Sequence, residues 1–198
     1  MTHQVQNACI LLAAGLSRRM GRDKLQLPFG ETTILGKSAA AIREVPFLKK
    51  ILVLSSEQKN HLDGFRVVSV PAGTPMHGSL RAGVSLLDAE CEYFCVALAD
   101  QPLLEERHFR ALLEIWPIAR SEGKDLVAPV NGKGERGNPC LIHRRYIPEI
   151  LARADDDRGA HYLFQSHKDN VRLWTTEESA YFFDIDTKED YQCAISNF

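Results

Sequence analysis

Apolar positions along the chain fall into short, nearly continuous runs separated by glycine, proline and charged residues. "ACILLA" (8–13), "ILVLSS" (51–56), "RVVSV" (66–70), "YFCVALAD" (93–100), "DLVAPV" (125–130), "NVRLWTT" (170–176) and "YFFDI" (181–185) are rich in β-branched and aromatic residues. Such runs predict strands covered on both faces. Between them lie helical patterns: 32–45, 78–89 (Leu80, Val84 and Leu87 at helical spacing), 104–120, 146–153, 158–167 and 187–196. Acidic residues open the third of these, favouring an N-terminus there, and Pro117 inside it predicts a kink or an early end. Thr187 is placed to cap the last. Strand alternating with helix predicts an α/β chain with a mainly parallel sheet. "VNGKGERGNP" (130–139), with three glycines and a proline, predicts a mobile surface loop.

Composition narrows this reading. With 198 residues, the chain fits one domain, 1–198, with a core that needs no staples. A formal net charge of -2 provides no global basic field, so neither nucleic acid nor a membrane surface is an expected partner. Five cysteines, Cys9, Cys91, Cys95, Cys140 and Cys193, form no C-x-x-C pair, which argues against a zinc cage and for reduced, mostly buried thiols. No apolar stretch approaches the roughly 20 residues of a membrane span, and "MTHQVQNA" lacks the pattern of a signal peptide. A cytoplasmic location is the expectation.

Candidate chemistry gathers at the carboxyl ends of the predicted strands, where open α/β sheets bind ligands. "LLAAGLSRRMGRDK" (11–24) leads from the first strand into Arg18, Arg19 and Lys24. "VALAD" delivers Asp100, and "YFFDID" delivers Asp184 and Asp186. Cations and carboxylates on one edge fit a metal-bound phosphate ligand. The glycine spacing matches neither the P-loop nor the dinucleotide fingerprint.

"LAAGLSRRMGRDK" resembles the signature L-A-[AG]-G-x-S-x-R-M-G-x-x-K of the molybdopterin nucleotidyltransferase-like family. Ala13, Ala14, Gly15, Ser17, Arg19, Met20, Gly21 and Lys24 match it position by position; Arg18 is extra. "PMHGSLRAG" (75–83) is similar to the second nucleotide segment, with Ser79, Leu80 and Gly83 matching and Pro75 where glycine is frequent. Ser79 can serve as a helix cap or touch base or sugar, and His77 reads as a loop residue. "LADQP" (98–102) resembles the strand-end [AG]-D-x-P, and "FFDIDTKEDY" (182–191) the C-terminal F-x-[DN]-I-[DN]-T-x-E-D. "ERGNP" (135–139) resembles G-[HN]-P beside the acceptor, with Asn138 and Pro139 matching. "DDRGAHYL" (156–163) resembles G-D-x-G-A-R, with Asp157, Gly159 and Ala160 matching, Asp156 replacing glycine and His161 replacing arginine.

The resemblance implies a three-layer, Rossmann-like nucleotidyltransferase fold with a mainly parallel, mixed sheet. It implies that Leu12, Ala13, Ala14, Gly15, Ser17, Arg19, Lys24, Ser79 and Leu80 bind the nucleotide. Lys24, Arg19 and Asp100 would be the catalytic set, and Asp100 and Asp184 the ligands of Mg²⁺. Asp186 either joins the metal or caps the closing helix. Asn138, Pro139, Asp157 and Gly159 would face the acceptor. L-A-A-G, with Ala14, is similar to the cytidylyltransferase branch, which implies CTP and molybdopterin as substrates and pyrophosphate as a product. A transient molybdoenzyme or chaperone partner is implied too. Three alternatives stay open: GTP as donor, a different phosphate acceptor, and a non-catalytic carrier of the cofactor.

Overall fold

A computed structural model describes residues 6–15, 20–21, 23–58 and 60–196. The first strand, β1 (Asn7–Ala13), runs through the middle of a seven-stranded sheet, and every one of its residues is buried. A small hairpin of β2 (Pro28–Phe29) and β3 (Thr32–Thr33) leads into α1 (Ile34–Arg43), whose first turn is capped by the Thr33 hydroxyl accepting from the Gly36 N–H at 3.1 Å. There follow β4 (Lys49–Ser55), β5 (Arg66–Val70), α2 (Met76–Val84), β6 (Tyr93–Leu98), α3 (Glu106–Ser121) and β7 (Leu126–Val130). The chain closes with β8 (Cys140–His143), α4 (Ile147–Ala152), α5 (His161–Ser166), β9 (Val171–Thr175) and α6 (Lys188–Ser196). The strand order is β5-β4-β1-β6-β8-β7-β9; only β8 runs against its neighbours. The sheet is therefore mixed and mainly parallel, as expected.

Alternation along β1 divides the core into two layers. Cys9, Leu11 and Ala13 point into the layer under α1 and α3, while Ala8, Ile10 and Leu12 point into the layer under α2, α4 and α5. Both layers are apolar because a parallel sheet must cover both faces. Gly83 of α2 sits where any Cβ would collide with the Ile10 side chain, so this helix lies close on β1. That close approach sets α2, and with it Ser79, directly beside the end of the first strand.

Several elements depart from the sequence pattern. Residues 181–185 are not a strand: Ser179–Phe182 forms a 3-10 turn, and an irregular segment follows. Tertiary contacts override the β-prone aromatics, since the buried Tyr181 donates its hydroxyl to the His108 carbonyl at 2.8 Å. The four-residue β8 comes from a run, "CLIH", that the pattern passes over. Helix α3 does not end at Pro117 but continues to Ser121, anchored by buried Phe109, Leu112, Trp116 and Ala119. Helix α2 starts earlier and ends sooner than its pattern, so Leu87 lies beyond it. Cys91 precedes β6 and Cys95 lies within it; Cys9, Cys91, Cys95 and Cys140 are buried free thiols and Cys193 is exposed. No helix among the described residues is long and apolar enough to cross a membrane.

Candidate active site

The carboxyl ends of β1 and β6 lie side by side, with Leu12 in register with Leu98. The Ala99 N–H donates to the Leu12 carbonyl at 3.0 Å, carrying the pairing one step past β6. Asp100 is thereby delivered next to the glycine turn that follows β1. The Ser38 hydroxyl of α1 donates to the Ala99 carbonyl at 2.9 Å and fixes this turn from below. Ile185 N–H donates to the Asp100 carbonyl at 2.9 Å, so the C-terminal segment bearing Asp184 and Asp186 docks on the same turn.

A cavity of about 540 Å³ opens there, a size suited to one small-molecule ligand. Leu12, Ala13, Ala14 and Gly15 form one wall. Thr74, Pro75, Met76 and Ser79, from the start of α2, form another. Lys24 and Asp100 supply its charge, and Asp157 closes a third side. Leu80 does not line it: the side chain is fully buried in the core, because the helical turn that aims Ser79 at the cavity aims the next residue at the sheet. Ser17 and Arg19 lie outside the described residues, as does Arg18.

Lys24 is 8% exposed, unusual for a lysine, and its ammonium is satisfied by carboxylates. Nζ donates to Asp100 Oδ2 at 2.8 Å and to Asp186 Oδ1 at 2.9 Å. Burial works against its charge, but Asp100 and Asp186 outweigh that and raise it above the ordinary lysine value. Asp100 keeps its other oxygen, Oδ1, buried with no hydrogen-bond partner. Asp184 sits beside this pair, where the nearby Gln101 side chain favours its ionised form. The protein packed around its carboxyl, and then the charge of Asp100, push it up to about 6, although the residue as a whole is exposed.

Asp186 does not cap the closing helix. Thr187 Oγ1 accepts from the Asp190 N–H at 3.1 Å, and Asp190 Oδ2 accepts from the Thr187 and Asp186 N–H groups at 2.8 and 3.1 Å. These reciprocal bonds satisfy the helix start and release the Asp186 carboxylate for Lys24. Sequence reasoning gave Asp186 no part with Lys24; two acids at alternate positions, with a buried lysine elsewhere, were the available signal. His77, read as a loop residue, lies in α2 and is fully buried, its Nδ1 and Nε2 facing the Gly159 and Ile150 carbonyls at 3.2 and 3.0 Å.

The acceptor motifs separate in space. Asp157 reaches the cavity, whereas Gly159 packs behind it against Met76. The Asn138–Pro139 bond is cis, Pro139 is buried, and the Asn138 N–H donates to the Tyr181 carbonyl at 2.9 Å. Neither lines the cavity. Their place is structural support between the 130–139 loop and the segment leading to Asp184.

A divalent ion fits this donor set. Two carboxylates converge, one oxygen of Asp100 is orphaned, and hard oxygen donors are what Mg²⁺ or Mn²⁺ accept, with phosphate and water completing the shell.

Residues 9–171 match the model of the MobA-like NTP transferase domain. The chain belongs to that family. It is 27% identical over 199 residues to the molybdenum cofactor cytidylyltransferase of Escherichia coli K12, covering 96% of each chain. It is 29% identical to the "Probable molybdenum cofactor guanylyltransferase" of Pelotomaculum thermopropionicum, over 65% of this chain and 60% of that one. Among solved structures, Rv0371c of Mycobacterium tuberculosis superposes with a TM-score of 0.83 at 26% identity, covering 97% of this chain and 98% of its own. A further structure of that mycobacterial protein is a complex with manganese.

Proposed function

We propose that this chain transfers CMP from CTP to the phosphate of molybdopterin, releasing pyrophosphate and forming the cytosine dinucleotide cofactor. A phosphate oxygen of the acceptor attacks the α-phosphorus; the new P–O bond forms as the bond to the bridging oxygen of pyrophosphate breaks. The monoester is already anionic near neutral pH, so the nucleophile needs no general base. Catalysis then rests on positioning and on stabilising charge. The backbone of Ala13, Ala14 and Gly15 would border the nucleobase, with Ser79 facing it across the cavity. Lys24, with Arg19, would take up the charge that builds on the β- and γ-phosphates.

Asp100 and Asp184 would hold Mg²⁺, which when bound neutralises phosphate oxygens and orients the reacting groups. Lys24 balances the Asp100 and Asp186 carboxylates in this structure; as the triphosphate arrives, its ammonium can turn toward the phosphates. The observation that carries the reading is the Lys24–Asp100 pair, set in a cavity walled by Leu12–Gly15 and Ser79.

GTP is the second reading for the base, favoured by the guanylyltransferase relative. Stabilisation by nucleotide separates the two: with Mg²⁺ present, CTP should raise the melting temperature more than GTP or ATP. A larger rise with GTP would reassign the base, and no rise with any nucleotide would remove the nucleotide site.

A further inference from the structure

Beyond the nucleotide cavity, across the segment 157–161, lies a second hollow of about 390 Å³ that no step above uses. Asp157 faces the first cavity and His161 the second, so one short stretch of chain forms the wall between them. Its floor is apolar: Phe164 of α5, and Val171 and Leu173 of the edge strand β9. Its rim carries Arg136, His161 and Lys168, and no carboxylate among the described residues lines it.

Arg136 is the unusual member. Its guanidinium lies 4.1 Å from the centre of the Phe164 ring, and Nη2 donates to His161 Nδ1 at 2.6 Å. No acid pairs with Arg136 or Lys168 among the described residues. A half-buried arginine ordinarily has a carboxylate, because its desolvation is otherwise uncompensated. Burial indeed lowers its affinity for its proton, and burial followed by Arg136 does the same to His161. Since guanidinium only donates, His161 Nδ1 accepts, which leaves Nε2–H free as a further donor. A flat cation fixed on an aromatic ring, with a neutral imidazole and a lysine at its side, is matched by a flat ligand carrying diffuse negative charge. Guanidinium is weakly hydrated and stacks readily, which favours soft anions and planar rings over small, strongly hydrated ones.

We propose that this hollow binds the body of the phosphate acceptor, the planar, sulfur-bearing pterin portion, while the phosphate at its other end reaches the nucleotide cavity past Asp157. This rests on the transfer reading above. It makes Arg136 a specificity-determining residue for the acceptor and not for the nucleotide. It also accounts for His161 where the family pattern carries arginine: the cation is supplied instead from the 130–139 loop.

The test is steady-state kinetics on the full chain with molybdopterin and nucleotide varied independently. Arg136→Met keeps apolar contact with Phe164 and removes the charge; KM for molybdopterin should rise about 10- to 100-fold, the loss of hydrogen bonding from a charged donor, while KM for the nucleotide stays within about twofold. Leu173→Glu, at a position already 51% exposed, introduces a like charge without disturbing the core and should raise the same KM. If Arg136→Met fails to fold, Leu173→Glu decides alone. An unchanged molybdopterin KM, or equal rises for both substrates, would overturn the assignment of the hollow. Absence of pyrophosphate release from the unaltered protein with every nucleotide would overturn the transfer reading itself, a distinguishable result.

Discussion

Lys24 Nζ lies 2.8 Å from Asp100 Oδ2, joining residues 76 positions apart in the chain. Asp186, 162 positions from Lys24, accepts from the same ammonium. One buried cation thus gathers the loop after β1, the end of β6 and the C-terminal segment. Replacing it by methionine leaves these carboxylates facing one another. A fully buried pair broken in this way costs about 3–5 kcal/mol; Asp186 is 46% exposed, so water screens part of it and about 2 kcal/mol is expected. Loss of a preorganised cation should also lower kcat by about 10²–10³. Denaturant titration and steady-state rates on Lys24→Met check both.

Asp184 yields a prediction in pH. Its carboxyl is held up at about 6 by the packed protein around it and by Asp100, against 3.8 in a free chain. The folded state therefore favours the protonated form. Its stabilising contribution is present below the unfolded value and is lost as pH rises through about 6. Asp184→Asn should consequently melt higher than the native protein at pH 8 and at the same temperature near pH 4. Metal binding needs the ionised form, so affinity for Mg²⁺ should fall as pH drops below about 6 in the native protein. Melting curves and metal titrations across pH 4–8 test the two arms.

His77 ties α2 to α4 and to the chain beyond it. Both ring nitrogens face main-chain carbonyl oxygens, of Gly159 and Ile150, and the His77 N–H donates to the Asp156 carbonyl at 2.9 Å. A neutral imidazole donates to one of these carbonyls, and His77→Leu strands that acceptor in the core, at a cost of about 1–3 kcal/mol. Because Asp157 is carried on the released segment, substrate KM values should rise in parallel. Unchanged stability would show that this carbonyl finds another donor.

Gly137 has no room for a side chain: a Cβ would collide with the Tyr181 carbonyl oxygen and the Phe182 ring. This contact locks the 130–139 loop to the segment leading to Asp184. Gly137→Ala should cost about 1–3 kcal/mol, the range for overpacking a filled site, readable as a lowered denaturation midpoint.

Most of the sheet was legible because β1, β4, β6 and β7 are largely buried apolar runs, and the half-exposed edge strands β5 and β9 are still marked by their β-branched and aromatic residues. The edge chemistry was legible too, since a glycine turn, a strand-end aspartate and a C-terminal acid pair all precede or follow such runs. What escaped was set by tertiary partners. Strand β8 is four residues long and is stabilised by pairing on both sides, with β6 and β7, information no local pattern contains. The 181–185 segment reads as a strand, but Tyr181 and its hydroxyl are claimed by α3. Asp186 could not be joined to Lys24 before Thr187 and Asp190 were seen to satisfy the helix start themselves.

The central claim is nucleotidyl transfer to a pterin phosphate, and pyrophosphate release measures it most directly. The protein would be incubated with molybdopterin, Mg²⁺ and CTP, GTP or ATP in separate reactions. The account predicts pyrophosphate with CTP, dependent on both Mg²⁺ and molybdopterin, and its loss in Asp100→Ala. No release with any nucleotide, or full activity in Asp100→Ala, would contradict it.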